Sequence, residues 1–236
     1  MTGLLVSVRS ADEARAALLG GADIIDVKEP DEGSLGAASK EVWEAVAGVV
    51  AGDALLSLAL GELRDFNPSQ AAQVPPNTQY AKIGLAGCAE VPDWPKRWQR
   101  AWDELPVHVE RVAVCYVDQR EAVAPTWREV LDQAVLAGCK CLLLDTFDKR
   151  AGNLFVHWEQ RQLADVVSQA AAEGLFVVAA GSIQAEHQPM LAASGVRFMA
   201  VRGAVCRGAR TGRLETDLVK HLRAVCDASG PSIFAG

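Results

Sequence analysis

Short apolar runs recur at fairly even spacing along the chain, at 4–8, 22–27, 54–60, 80–85, 111–117, 141–146, 175–181 and 197–203. Most are near-continuous in apolarity rather than alternating, which is how parallel strands buried on both faces read. Helical spacing fills the intervals at 11–19, 39–50, 93–102, 126–137, 159–173, 185–193 and 215–226. The first of these opens on Ser10 with Glu13 three residues on, an N-terminal capping pattern. The stretch 67–73 is weaker and runs into Pro75-Pro76. Gly20/Gly21, Gly138, Gly174 and Gly195 each fall just before a strand, where a left-handed cap would end the preceding helix. Eight strands alternating with helices, without a linker-like stretch, predict an α/β chain forming a single (β/α)8 (TIM) barrel domain over residues 1–236. An open doubly wound sheet is the alternative, and no G-x-G-x-x-G follows a strand to favour it.

Composition narrows the function classes. No run of about 18 apolar residues exists, so no membrane-spanning segment is expected. The opening MTGLLVSVRS has neither a basic leader nor a long apolar core, so a cytoplasmic location is expected. The net charge of −7, without a basic run, argues against nucleic acid but leaves room for a small anionic substrate. The six cysteines form no C-x-x-C pair, and Cys139-Lys140-Cys141 has the wrong spacing and no nearby histidine for zinc. No metal and no cofactor are implied. Whether the chain forms a homo-oligomer is unreadable, because interface and core helices look alike.

In such a barrel the active site lies at the carboxyl ends of the strands. There the chain carries Asp26-Val27-Lys28 at the end of strand 2, Lys82 in strand 4, and Asp145-Thr146 at the end of strand 6, with Lys149 four residues on from the aspartate. The chain has seven lysines, and only Lys40, Lys96, Lys140 and Lys220 fall elsewhere, so the clustering is hard to explain as solubilising charge. Residues two apart in a strand share a face. If Ile24 points inward, so do Asp26 and Lys28; Lys82 points inward with Ala81 and Ile83 outward; Asp145 points inward if Leu142 and Leu144 pack outward. Charges in a barrel mouth are costly unless paired. One reading is structural ion pairs. The other is a lysine with a depressed pKa that attacks a carbonyl and forms a Schiff base, while a carboxylate shuttles protons.

A separate signal concerns phosphate. Strand 7 runs into Gly181-Ser182-Ile183 and strand 8 into Arg202-Gly203-Ala204. Barrels commonly bind phosphate on these two loops through backbone N–H groups, and Arg202 would supply charge. The loop Glu32-Gly33-Ser34-Leu35-Gly36 would hold another anion, with Ser34 as its side-chain donor. Ser7, Arg9 and Asp118 also end strands, and each is balanced between lining the site and satisfying a loop. His157 and His187 read as surface residues, and the six tryptophans as packing for the helices.

At these residues the sequence resembles the (5-formylfuran-3-yl)methyl phosphate synthases, which make the furan precursor of methanofuran. The resemblance rests on GGADIIDVKEPDEGSLGA (20–37), YAKIGL (80–85), LLLDTFDK (142–149), AAGSI (179–183) and VRGAVCRG (201–208). It covers most strand ends from the second to the eighth. The acidic stretch 28–32 and the loop 148–153 depart from the family pattern without removing a named group. The resemblance implies a barrel that joins two glyceraldehyde 3-phosphate molecules to a phosphorylated furan aldehyde, with loss of one phosphate and water. It implies Lys28 as the Schiff-base lysine, Lys82 and Lys149 as supporting cations or proton donors, and Asp26 and Asp145 as acid/base carboxylates. It places the chain in methanofuran-type one-carbon metabolism. The same residues would also serve a lysine-dependent aldolase of another sugar phosphate, which only a substrate panel separates. A non-catalytic phosphate-binding barrel would bind ligand without forming an adduct trapped by borohydride.

Overall fold

The computed structural model describes residues 2–228. The expected domain limits at residues 1 and 236 lie outside the described residues. Eight strands, β1 (Gly3–Val8), β2 (Ile24–Val27), β3 (Leu55–Glu62), β4 (Tyr80–Gly84), β5 (Glu110–Tyr116), β6 (Cys141–Asp145), β7 (Phe176–Ala179) and β8 (Phe198–Val201), pair in chain order. All pairings are parallel, and β1 meets β8 from Gly3↔Phe198 to Val6↔Val201 to close the barrel. The (β/α)8 barrel expected from the hydrophobic pattern is therefore the fold. The helices are α1 (Ala11–Leu19), α2 (Lys40–Val50), α3 (Pro68–Ala71), α4 (Trp94–Asp103), α5 (Gln119–Ala122), α6 (Trp127–Leu136), α7 (Leu154–His157), α8 (Gln160–Ala172), α9 (Gln188–Ala193) and α10 (Thr216–Asp227). No described helix is long and apolar enough to cross a membrane.

Strand alternation divides the apolar residues into two layers. Leu4, Val6, Ile25, Ala81, Ile83, Leu142 and Leu144 face outward and pack under the helices. Leu5, Ile24, Val112, Leu143, Val178 and Ala200 fill the barrel interior. That same alternation turns Asp26, Lys82 and Asp145 inward, above the apolar plug. Around the outside, Trp94, Trp98 and Trp102 stack at four-residue spacing along α4 with ring centroids 6.0 and 5.3 Å apart.

Local chemistry sets the turns. Ser10 caps α1 by accepting from Glu13 N, and Thr126 and Glu129 cap α6 reciprocally. Gly21, Gly138, Gly174 and Gly195 take φ of 87, 70, 78 and 78°, the left-handed region that lets a helix stop and turn into a strand. The sequence predicts a single helix over 185–193. The structure instead has a 3-10 turn (Ala185–His187) feeding α9, with Pro189 in the first turn of the helix. β7 and β8 stop at Ala179 and Val201, short of the glycines expected to end them. Gly181 has φ 89°, outside any strand conformation, and so releases the chain into a loop at the barrel mouth.

Candidate active site

The carboxyl ends of the strands surround a pocket in which the expected charged residues converge. The first cluster spans four strands. Asp26 on β2 accepts from Lys82 Nζ on β4 and from Ser7 Oγ on β1 at 3.1 Å. Lys82 Nζ also donates to Ser57 Oγ on β3 at 3.0 Å, and all four side chains are buried. The second cluster caps β6. Asp145 accepts from Lys149 Nζ, and from Thr146 N at 2.8 Å. Lys149 reaches back over the four-residue turn and donates also to the Thr146 carbonyl. Burial alone would raise the Asp145 carboxyl, but the charges of Lys149 and Lys28 and the hydrogen bonds from Lys149 and Thr146 N outweigh it and hold the pKa low. Burial pushes Lys149 down, against the pull of Asp145.

Lys28 differs from both. It is 8% exposed, and among the described residues no carboxylate approaches its Nζ within 4 Å and no hydrogen bond fixes it. Burial pushes its pKa down to about 8; the more distant Asp145 and Asp26 pull it up, and Lys149 and Lys82 push it down further. The three ammoniums thus face two carboxylates, and the surplus positive charge falls on the lysine without a partner. A buried amine that is partly neutral near pH 8 is a competent nucleophile toward a carbonyl carbon.

The expected phosphate residues divide. Gly181, Ser182, Gly203 and Ala204 line the pocket mouth. Ser182 is exposed at φ 53°, a costly conformation for a residue with a side chain, and among the described residues it makes no hydrogen bond. Arg202 also lines the pocket, but its charge is not free: Nη1 and Nη2 reach Glu13 of α1 at 2.7 and 3.2 Å, and Nη1 donates to the Ser7 carbonyl at 3.0 Å. Ser34, expected as an anion contact, is buried and already engaged by protein groups. Its hydroxyl lies 2.9 Å from the Thr146 carbonyl and 3.2 Å from Asp145 Oδ2, so it fastens the β2 loop to β6. Of the residues left balanced, Ser7 joins the site. Arg9 sits on the rim, paired with Glu29 and Asp31, and Asp118 accepts from Phe147 N and Asp148 N.

Sequence reasoning missed Ser57, Glu13 and Arg210. Ser57 carries the period-two signal of β3, since it shares the inner face with Ala59. Arg210 lines the pocket from the loop after β8, and its flanking Gly208 and Gly212 were the available signal.

The sequence model of the 4-HFC-P synthases matches residues 4–223, from β1 into α10, and so takes in every element that builds this pocket. The chain belongs to the 4-HFC-P synthase family. It is 35% identical to the (5-formylfuran-3-yl)methyl phosphate synthase of Methanocaldococcus jannaschii over 233 residues, covering 94% of this chain and 99% of that one. The synthase of the same name from Methanopyrus kandleri is 34% identical over 229 residues, covering 93% and 96%. Among solved structures, the fold is similar to phosphoribosyl anthranilate isomerase from Thermus thermophilus, with a TM-score of 0.67, 14% identity and coverage of 96% and 99% of the two chains. It is also similar to thiamine phosphate pyrophosphorylase from Pyrococcus furiosus, with a TM-score of 0.66, 18% identity and coverage of 97% and 96%. At those identities the likeness is one of fold.

Proposed function

We propose that this 4-HFC-P synthase family member condenses two glyceraldehyde 3-phosphate molecules to (5-formylfuran-3-yl)methyl phosphate, with loss of one phosphate and water, through a Schiff base on Lys28. The observation that carries the reading is the division of labour among the pocket lysines. Lys82 and Lys149 are each held by a carboxylate, whereas Lys28 is buried between them without one. The product is the one for which the relatives are named, and the glycine-bearing loops after β7 and β8 at the pocket mouth suit a phosphorylated substrate.

The chain's own residues account for the steps. The neutral Lys28 amine adds to the aldehyde carbon of one triose phosphate, and loss of water leaves an iminium that acts as electron sink. Loss of a proton from the adjacent carbon gives an enamine, and Asp145 or Asp26 accepts that proton. The enamine expels the phosphate from its third carbon. That carbon, now the end of an enol, attacks the C2 carbonyl of the second triose phosphate after its isomerisation to the ketose, with Lys82 or Lys149 giving a proton to the oxygen. Closure of the ring by the second triose's C1 hydroxyl, loss of two waters and hydrolysis of the iminium then release the aromatic furan aldehyde and free Lys28. Gly181, Ser182, Gly203 and Ala204 hold phosphate through the backbone at the mouth. The product would feed methanofuran-type one-carbon metabolism.

The test is incubation of the pure protein with glyceraldehyde 3-phosphate, following inorganic phosphate and furan absorbance together. Appearance of both supports the synthase. A new sugar phosphate without phosphate release would assign the site to an aldolase instead. Ligand binding with no turnover and no borohydride-trapped adduct would leave a phosphate-binding barrel.

A further inference from the structure

Beyond β8 the chain returns on itself as a short hairpin. Cys206 and Leu214 form an antiparallel bridge, and Arg207 N donates to the Arg213 carbonyl at 2.9 Å. The tip turns at Gly208, φ 79°, and at Gly212, where a Cβ would fall 2.2 Å from the Arg207 carbonyl oxygen. This geometry delivers Arg210 to the pocket wall, half-buried, with its Cβ 3.8 Å from where a Cβ on Gly203 would stand. Among the described residues Arg210 has no ion pair. Its guanidinium makes one hydrogen bond, from Nη2 to the Gly33 carbonyl at 3.3 Å. The neighbouring Arg202 has both terminal nitrogens on Glu13, yet its Nε–H is buried with no partner.

We propose that Arg210 and the Arg202 Nε–H form an anion subsite over Gly203 that holds the phosphate group of a phosphate monoester substrate. The proposal rests on the phosphorylated-substrate reading above and adds the residue that supplies the charge. No carboxylate pairs with this half-buried guanidinium, and burial lowers its pKa although the more distant Asp145, Asp31 and Glu29 offset part of the cost. A doubly charged phosphate on the planar fork of Arg210 removes that imbalance. Arg202, neutralised by Glu13, adds a directed donor without adding repulsion. The hairpin tip is tied across the mouth by long contacts, Arg210 to the Gly33 carbonyl and Arg9 Nη1 to the Thr211 carbonyl, each 3.3 Å, which a phosphate oxygen can replace.

The test is calorimetric titration of the full chain with glycerol 3-phosphate, which carries the monoester but no aldehyde, and separately with inorganic phosphate. Arg210→Gln is expected to weaken glycerol 3-phosphate roughly ten- to a hundredfold, the effect of losing a charged hydrogen-bonding partner, and Arg210→Lys to recover part of it. Unchanged affinity in folded Arg210→Gln overturns the subsite. Inorganic phosphate binding more tightly than the monoester would overturn the substrate assignment in favour of a site for released phosphate. Because no turnover is needed, Arg210-dependent binding in a protein without synthase activity would sink the proposed reaction and keep the subsite. Normal turnover with unaltered binding in Arg210→Gln would sink the subsite alone.

Discussion

Lys82 is held inside the barrel by Asp26 from two strands away, with Ser57 on the intervening strand completing its coordination at 3.0 Å. Both side chains are almost fully buried. Asp26→Asn keeps an oxygen that can accept from Lys82 but leaves the buried ammonium without its counter-charge. Breaking such a pair costs about 3–5 kcal/mol. Urea unfolding of Asp26→Asn is expected to show a loss of that size, and Asp26→Asn/Lys82→Met is expected to recover most of it. A loss within experimental error would mean that water enters the cluster and screens it.

Lys28 works against stability in the neutral range. Its ordinary pKa is 10.5, and in the folded chain it is about 8. Between those values the unfolded chain binds more protons than the folded one, so folding becomes more favourable as pH rises from 8 toward 10.5. Below pH 8 the cost is constant, at about 3 kcal/mol for a shift of this size. Lys28→Met is expected to unfold at higher urea than the parent at pH 7, with the gap closing toward pH 10.5. Equal stability of the two at pH 7 would show that the lysine is solvated in the folded chain.

The same titration governs the rate. Only the neutral amine attacks a carbonyl, so below pH 8 the reactive fraction rises about tenfold per pH unit and levels off above it. The logarithm of kcat/KM is expected to climb with unit slope and bend near pH 8. Borohydride with glyceraldehyde 3-phosphate should place the reduced adduct on Lys28, located by peptide mass. Lys28→Arg keeps the positive charge and should abolish the adduct. An adduct that persists in Lys28→Arg would transfer the covalent role to Lys149 or Lys82.

The barrel and the inward charges were legible because strand alternation is local: Ile24, Asp26 and Lys28 share a face whatever the rest of the chain does. Which lysine has a partner was not legible. Asp26 and Lys82 lie 56 positions apart, and only closure of the barrel decides that β4 presents its lysine to Asp26 and leaves Lys28 unmatched. Arg202 illustrates the limit more sharply. Its position after β8 marked it as a phosphate contact, but its charge is neutralised by Glu13, 189 positions away on the first helix. In sequence Glu13 reads fully as a helix-capping residue, and it does approach that cap, since Ser10 Oγ accepts from its N–H. Arg210 was hidden for another reason: Gly208 and Gly212 mark a tight loop after β8, but a loop has no periodicity to say which of its side chains turns inward.

Ser34 separates an anion contact from a residue that positions the chemistry. Its hydroxyl bridges the Thr146 carbonyl and Asp145, and Thr146 N in turn donates to Asp145 Oδ1. Ser34→Ala removes one hydrogen-bonding group, worth about 1 kcal/mol and hence several-fold in rate. The expected result is a several-fold fall in kcat, with KM for glyceraldehyde 3-phosphate and affinity for glycerol 3-phosphate unchanged, because the loosened group is the carboxylate and not the phosphate. Ser34→Thr retains the hydroxyl and should restore part of kcat if the added methyl group is accommodated. A rise in KM at constant kcat would instead return Ser34 to the substrate phosphate, and would require the β2 loop to reorient its hydroxyl away from Thr146 when substrate binds.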